Sequence, residues 1–322
     1  MINRCSGFLL STLFLAAGAV VLTACNDDSV VGPENPAPTM DNIWPHADGN
    51  AWIYDLAVRS FAGDPDAVFP ADGSMPPLPT MEELHAAMDQ DIVFEARGQS
   101  DGLYRMAFEG DITTESGVTA QHLTEELFLP VEGLRRVSSH EDRLLGRILA
   151  ARPDLRGRVA CKDIGDELKA PILLGGYAFE ATADGIYSYG DVDQDHSWTY
   201  LEGDLTVGSE FSIQLLSAFT DDLFLYGRIW NVGDYTVGGM TYANCVECFY
   251  LVDLGVTPVV DEFGMPLGNI RAYIFGSVYF APDIGPVYCH EKSHTVMMGF
   301  PAGEAVIMEY EAALTGGLQI RE

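Results

Sequence analysis

The chain has 322 residues and carries 48 acidic against 17 basic side chains, a formal net charge of −31 at pH 7. Such an excess repels nucleic acid and anionic lipid surfaces, so a nucleic-acid partner is excluded. The acids are spread along the chain and read as a solvated surface, and a hydrophobic content of 48% is enough for a real core.

The N-terminus has one basic residue, Arg4, then an apolar run from Phe8 to Leu22 ending in Leu22-Thr23-Ala24-Cys25. A basic start, a short apolar segment and small residues before a cut are the layout of an export signal. The run is shorter than the roughly 20 residues that a membrane span needs. A cysteine directly after the small residues resembles the lipobox of bacterial lipoproteins, in which the thiol takes a diacylglycerol before cleavage. That resemblance implies a signal peptide over residues 1–24 and lipidation of Cys25, with diacylglycerol and palmitate as the anchor. The mature chain then carries 16 basic and 48 acidic residues, a formal charge of −32. It is expected to be held to a membrane of the bacterial cell envelope through its N-terminal lipid. Asp27-Asp28 after the cysteine leaves surface export open, so the outer membrane or cell surface is favoured over the inner membrane.

Residues 26–40 carry three prolines and no apolar period, which reads as a flexible tether; with Cys25 it spans 25–40, and the folded domain spans 41–322. Short segments rich in aromatic and β-branched residues follow, punctuated by Gly, Asp and Asn at hairpin-like intervals. They are Ala51–Val58, Ile92–Ala96, Leu103–Phe108, Tyr177–Ala181, Gly185–Tyr189, Phe211–Leu216, Leu223–Trp230, Cys248–Leu254, Ile270–Phe280 and Ala305–Ala313. Two stretches break the pattern. Thr80 to Glu83 is a capping box, which predicts a short helix over Thr80–Gln90. Ser139–Ala151 places Leu144, Leu145, Ile148 and Leu149 on one helical face, and Pro153 stops it. The fold class is therefore mainly β, a twisted antiparallel sheet with one or two short helices packed on it. No period of 20–50 residues is present, so a propeller or solenoid is excluded.

Four landmarks occur in order. The first runs from Trp44-Pro45 through Gly49-Asn50-Ala51-Trp52 to Tyr54. The second joins Asp184-Gly185 to Leu205 and Gly208-Ser209-Glu210-Phe211. The third runs from Tyr235 to Asn244-Cys245, and the last is Tyr279-Phe280-Ala281-Pro282 through Gly285-Pro286-Val287. This order resembles a group of uncharacterised bacterial lipoproteins with a W-P-x-x-x-G-N-x-W-x-Y opening, a G-T-F-x-N-C strand and an A-P-G-V-G-x-V turn. The chain departs from them at Asp283, where that turn has Gly, and at Met240-Thr241-Tyr242. The resemblance covers residues 44–58 and about 177–310, and leaves 60–170 as an expected insertion. It implies a curved or half-barrel sheet, as in periplasmic lipoprotein carriers, and no activity. Trp52 and Tyr54 alternate onto one strand face and are expected in the core. Gly49-Asn50 suits a tight turn.

Three constellations bear on chemistry. His290-Glu291-Lys292-Ser293-His294 spells H-E-x-x-H, which on a helix brings two zinc ligands onto one face and lets the Glu activate a water. The flanks show no helical period or cap, and the segment is expected to be extended. Two histidines four apart in a strand lie about 13 Å from each other, too far for one zinc ion. Glu309 becomes a third ligand only if the histidines are helical. Second, Asp191, Asp193, Asp195, Ser197 and Glu202 occupy ligand positions of a calcium-loop pattern, but His196 stands where the sharp turn needs Gly. The bland alternative is an acidic hairpin tip. Third, Cys245-Val246-Glu247-Cys248 lies in a predicted strand, where a redox thiol gains nothing from a helix N-terminus. Export favours two disulfides among Cys161, Cys245, Cys248 and Cys289, and sequence does not choose the pairing. His46, His85, His122 and His140 show no partner in the sequence and read as surface or capping residues.

The expected function is a non-enzymatic binding or assembly component of the envelope, with an envelope protein or ligand as partner and no obligatory cofactor. The rival is a zinc peptidase using His290, Glu291 and His294.

Overall fold

The structure is a computed structural model that describes residues 36–63, 77–92, 94–128, 171, 173–189, 197–214, 224–260, 265–298 and 304–318. The chain divides into a unit of residues 1–35 and a unit of residues 36–322. The leader, Cys25 and most of the expected tether fall in the first unit, outside the described residues. The expected helix Ser139–Ala151 and Cys161 also lie outside the described residues.

The second unit is a single antiparallel meander. Its strands are β1 (Ala51–Gly63), β2 (Glu95–Thr113), β3 (Thr119–Phe128), β4 (Ala178–Ala181), β5 (Gly185–Tyr189), β6 (Ser197–Glu202), β7 (Glu210–Gln214), β8 (Phe224–Val237), β9 (Met240–Val260), β10 (Pro266–Ala281), β11 (Gly285–Met298) and β12 (Glu304–Leu318). Two helices are described, α1 (Met40–Ile43) and α2 (Met81–Met88). The strand order is β6-β5-β4-β3-β2-β1-β12-β11-β10-β9-β8-β7. Every strand pairs with its neighbour in sequence except β6 with β7, and the first strand pairs with the last. The sheet is thus a twelve-stranded, nearly closed barrel whose seam lies between β6 and β7, a fuller closure than a half-barrel. Of the stretch 60–170, residues 95–128 supply β2 and β3 in line between β1 and β4, and 81–88 supply α2.

Alternation along the strands sorts side chains to two faces. On β1, Trp52, Tyr54, Leu56 and Val58 are buried inside, as expected of Trp52 and Tyr54. The interior is filled by rings from opposite walls. Trp44, just after α1, is a hub: its ring centroid lies 4.9 Å from Phe179 on β4, 5.2 Å from Tyr200 on β6 and 5.9 Å from both Phe108 on β2 and Phe280 on β10. Tyr200 stacks on Tyr250 of β9 at 5.4 Å, and Tyr54 on Tyr104 of β2 at 5.7 Å. The segment around Leu173 enters the same core, where its N–H donates to the Glu291 carboxylate at 2.7 Å and its carbonyl accepts from the Tyr200 hydroxyl. At this level the rings fill the space between the walls.

The turns explain two landmarks. Between β10 and β11, Asp283 has φ 62° and Gly285 φ 97°. Asp283 thus takes the left-handed conformation, which Asp tolerates and Gly favours. Trp52 Nε1 donates to the Ile284 carbonyl at 2.7 Å and Tyr54 Oη to the Pro286 carbonyl at 2.8 Å, so the opening motif and this turn are one unit. Val237 pairs with Met240 across Gly238-Gly239, both at positive φ, which fits a two-residue hairpin turn whose twist matches the strands. Bulges near Trp230 and Asp234, with Asn244 at φ 55°, bend this hairpin over the outside of β10 and β11.

Gly276 on β10 carries a testable constraint. A Cβ there would collide with the backbone of β11, at the carbonyl of His290 and the Cα of Glu291. Gly233 on β8 has open space at the same position. Gly276→Ala is expected to cost roughly 3 kcal/mol or more, or to prevent folding, because backbone cannot give way as a side-chain tip can. Gly233→Ala is expected to stay within about 1 kcal/mol of the parent. Thermal unfolding of both variants checks this, and equal losses would refute the close β10–β11 packing.

Candidate functional site

The outer face of β1, β12, β11, β10 and β9 carries a registered polar strip. Strand pairing sets Arg59 opposite Glu309 and Glu309 opposite Lys292, with Glu311 opposite His290 and His290 opposite Ser277. Helix α2 lies against the same face, with Leu84 and Met88 buried on Phe249, Leu251, Tyr273 and Phe275.

Three polar fasteners hold α2. Near its start, Arg228 Nη1 meets Glu82 Oε1 at 2.6 Å, while Thr80 and Glu83 exchange the two bonds of the capping box. At its middle, His85 Nε2 pairs with Glu247 Oε1 at 2.9 Å and the imidazole stacks on Trp230 at 3.8 Å. At its end, Lys292 Nζ donates to the carbonyls of Met88 at 2.8 Å, Ala87 at 3.0 Å and Gln90 at 3.4 Å. These carbonyls lie at and just beyond the C-terminal end of α2, where a cation opposes the helix dipole. Lys292 is only 2% exposed. Burial pushes its pKa below the ordinary lysine value, and Glu309 at 3.6 Å pulls it back up.

Charges on the strip are matched. Arg59 Nη1 lies 2.8 Å from Glu311 and 3.3 Å from Glu309, and His290 Nε2 lies 3.0 Å from Glu309. Burial pushes the Glu309 carboxyl up, but the His290 hydrogen bond, the charges of His290 and Lys292 and the Arg59 bond outweigh it and hold the pKa at about 2. Further along, Glu247 accepts from Ser277 Oγ at 2.7 Å as well as from His85, and Tyr279 hydrogen-bonds it too. Beyond lies a tyrosine shelf, with Tyr235 of the bent hairpin stacked on Tyr279 at 3.9 Å and 5.7 Å from Tyr288. Burial and nearby carboxylates raise all three phenols, Tyr235 to about 12.

This placement settles the geometry of the H-E-x-x-H segment. It lies in β11, extended as expected. His290 and His294 face outward, with His294 Nδ1 3.1 Å from the Tyr273 hydroxyl. Glu291 faces inward, 1% exposed, and accepts from Leu173. Alternation therefore puts the would-be base on the other side of the wall from the would-be ligands. Glu309 does meet His290, but across a β-ladder and without His294. Among the described residues, His290, Glu309 and Glu311 could hold a metal, with ligand atoms within 4.8 Å of one another. Arg59 and Lys292 already neutralise both carboxylates, and a divalent cation would have to displace Arg59.

The calcium pattern is corrected in part. Asp191, Asp193 and Asp195 lie outside the described residues, but Ser197 and Glu202 are the two ends of strand β6. Five residues of strand separate them by about 16 Å, so they cannot share one ion. The disulfide expectation is corrected too. Cys245, Cys248 and Cys289 are free, buried thiols. Cys248 and Cys289 each pair with Val278 from opposite sides, so β10 stands between them and their Cα atoms are about 10 Å apart, beyond disulfide reach. With these three separate, two disulfides cannot form among the four cysteines. Burial raises Cys245 and Cys248 to about 12 and lifts Cys289 as well, which leaves them unreactive thiols.

Sequence reasoning missed Lys292, an unremarked x of H-E-x-x-H, and the His85–Glu247 pair. No local signal marks Lys292, which stands among His290, Glu291, Ser293 and His294. His46 stacks on Phe108 at 5.1 Å within the aromatic plug, and His122 sits edge-on to Tyr177.

No known protein family and no curated protein matches the chain. Three solved structures resemble it. Lipovitellin, from a study of its lipid–protein interactions, has TM-score 0.35 at 10% identity, over 86% of this chain and 26% of that one. A Bacteroides fragilis protein described as exported, with a YmcC-like fold, has TM-score 0.27 at 8% identity, over 86% and 99%. A Parabacteroides distasonis protein described as a lipoprotein has TM-score 0.24 at 10% identity, over 86% and 98%. The chain spans about a quarter of the lipovitellin chain. These likenesses are too distant to assign a function.

Two predictions follow from the charges and thiols. Burial and then the nearby Lys292 lower His294 from 6.5 to about 3, and burial lowers His46 to about 4. Both stay neutral in the fold, so their stability is complete above pH 6.5 and is lost as pH falls toward those values. Glu309 adds a second loss between pH 4.5 and 2. The melting temperature is expected to fall below pH 6.5, each group costing at most about 1.4 kcal/mol per pH unit. His294→Gln is expected to flatten the limb between pH 6.5 and 4.5; an unchanged slope would count against a buried neutral imidazole. For the thiols, alkylation should leave Cys245, Cys248 and Cys289 unmodified in the native protein and label all three after unfolding without reductant. A disulfide-linked peptide containing any of them would overturn the assignment.

Proposed function

We propose that this protein is a lipoprotein of the bacterial cell envelope whose barrel is a non-enzymatic binding or assembly module that works through its outer surface. The leader carries the first half of this reading. Residues 1–24 direct export and are removed, Cys25 takes the lipid, and residues 26–40 link it to the barrel, at the outer membrane or cell surface. The filled interior supports the second half: with aromatic rings meeting across the core, the surface left for a partner is the outside of the wall. The outer strip carries matched charges and a polar shelf of three tyrosines, a surface suited to holding α2 in place and to contact with another molecule. Ser277 is 4% exposed and its proton is committed to Glu247, so it supplies no nucleophile. An extended H-E-x-x-H with its Glu inside the barrel favours no peptidase.

The test is metabolic labelling with a fatty acid in a bacterial host. The parent chain is expected to carry label, and Cys25→Ala to lose it and accumulate uncleaved. Label retained in the variant would sink the lipoprotein reading.

A further inference from the structure

Two carboxylates and an imidazole converge on the outer wall where β11 and β12 lie side by side. Glu309 and Glu311 are two residues apart on β12, so alternation puts both on the outer face. The ladder sets Glu311 opposite His290 of β11, which makes Glu309 the diagonal neighbour of that histidine. A pair at i and i+2 on one strand, with a third donor from the next strand, is a three-point set held by a stiff surface. The ligand atoms of the three side chains all lie within 4.8 Å of one another. Nitrogen and carboxylate donors around a zinc ion are about 3.3 Å apart at ordinary bond lengths, so side-chain rotations of about 1 Å close the set.

A cation already joins these carboxylates. Arg59 reaches across from β1, and a single nitrogen, Nη1, lies 2.8 Å from Glu311 and 3.3 Å from Glu309. The Arg59 side chain is 34% exposed, so it can swing out to solvent without moving the wall. Lys292 can stay where it is. Its ammonium is tied to the carbonyls of Ala87, Met88 and Gln90, and the charges of Asp89 and Glu311 favour it as well as that of Glu309. Two carboxylates balance one divalent ion, and an imidazole nitrogen completes the donors. That mixture suits a zinc-like ion; calcium and magnesium favour shells made of oxygen.

We propose that His290, Glu309 and Glu311 form a zinc site on the outer wall, and that the ion enters by displacing the Arg59 guanidinium. Glu291 and His294 take no part in it: one faces the interior and the other holds Tyr273. Loading exchanges a tie between β1 and β12 for one between β11 and β12, and it turns Arg59 out to solvent. Three protein ligands leave the outward position of the ion to water or to a donor atom of another molecule. The site belongs to the outer surface proposed for partner contact, and it does not depend on the lipidation of Cys25.

The experiment uses the mature full chain purified in detergent, stripped with a chelator and titrated calorimetrically with zinc chloride. The parent and Cys161→Ser are expected to take up zinc alike. His290→Gln and Glu311→Gln are expected to weaken binding at least roughly tenfold, the loss that removing even a ligand's supporting partner causes. Arg59→Gln is expected to tighten binding several-fold, because the competing cation is gone. Cobalt in place of zinc is expected to give a weak visible band and no sulfur-to-metal charge transfer. Absence of zinc uptake, uptake lost in Cys161→Ser, a thiolate band, or unchanged affinity in the ligand variants overturns the inference. So does an Arg59→Gln chain that binds no more tightly than the parent. Melting without metal shows whether the ligand variants are folded; where one is not, Arg59→Gln and the cobalt spectrum decide. Failure on any of these counts leaves the lipoprotein reading intact, since that reading stands on the fatty-acid label.

Discussion

The pairing of the first strand with the last is the constraint on which the rest depends. β1 runs against β12 along its whole length, from Ala51 opposite Leu318 to Gly63 opposite Ala305. This bond joins two half-meanders, β1 to β6 and β7 to β12, into one wall. The aromatic core needs both halves, since Trp44 touches rings from β2, β4 and β6 on one side and β10 on the other. The outer strip needs it too: Arg59 belongs to the first half, and Glu309 and Glu311 to the second. Loop closure over most of the chain must come before either reward, which makes the fold one of high contact order.

Closure also explains how buried charge is tolerated. Glu247, Glu291, Lys292 and Glu309 are each less than 10% exposed. A buried carboxylate or ammonium is costly unless paired or hydrogen-bonded. Each of these finds partners on a different element: Glu247 on α2 and β10, Glu291 on the Leu173 segment, Lys292 on the end of α2, Glu309 on β1 and β11. The polar groups thus tie to the wall the pieces that hydrophobic packing alone holds loosely, a short helix and an irregular segment. They fix position more than they add stability.

What the sequence revealed and concealed follows from the range of each interaction. Local signals were legible. The Thr80 capping box marks α2, the alternation around Trp52 and Tyr54 marks a buried face, and Gly185–Tyr189 matches β5 end to end. β3 escaped because Gln121, His122, Glu125 and Glu126 dilute its apolar alternation, although Glu125 points to the Tyr104 hydroxyl at 2.6 Å. The site was nearly illegible, since each of its pairs joins residues far apart in the chain. Register, set by the closing of the barrel, brings Arg59 to Glu309, and the packing of α2 on the sheet brings His85 to Glu247; no spacing in the sequence encodes either. The thiols show the converse. Export and an even count suggest disulfides, yet one intervening strand separates Cys248 from Cys289.

The H-E-x-x-H segment shows why a motif is a statement about a period. On a helix, spacings of one and four residues place Glu and the second His near the first His. On a strand the same spacings send Glu291 through the wall and leave the two histidines on the outer face, each with its own neighbour, Glu309 and Tyr273. The residue in the middle, Lys292, then shares that outer face and reaches the end of α2. The five letters that suggest a zinc site thus hold four unrelated jobs: a contact with Glu309 on the strip, a hydrogen bond in the core, a cap on a helix and a hydrogen bond with Tyr273. Backbone period decided among them, and the β-branched residues and Pro286 beside the segment are what set that period.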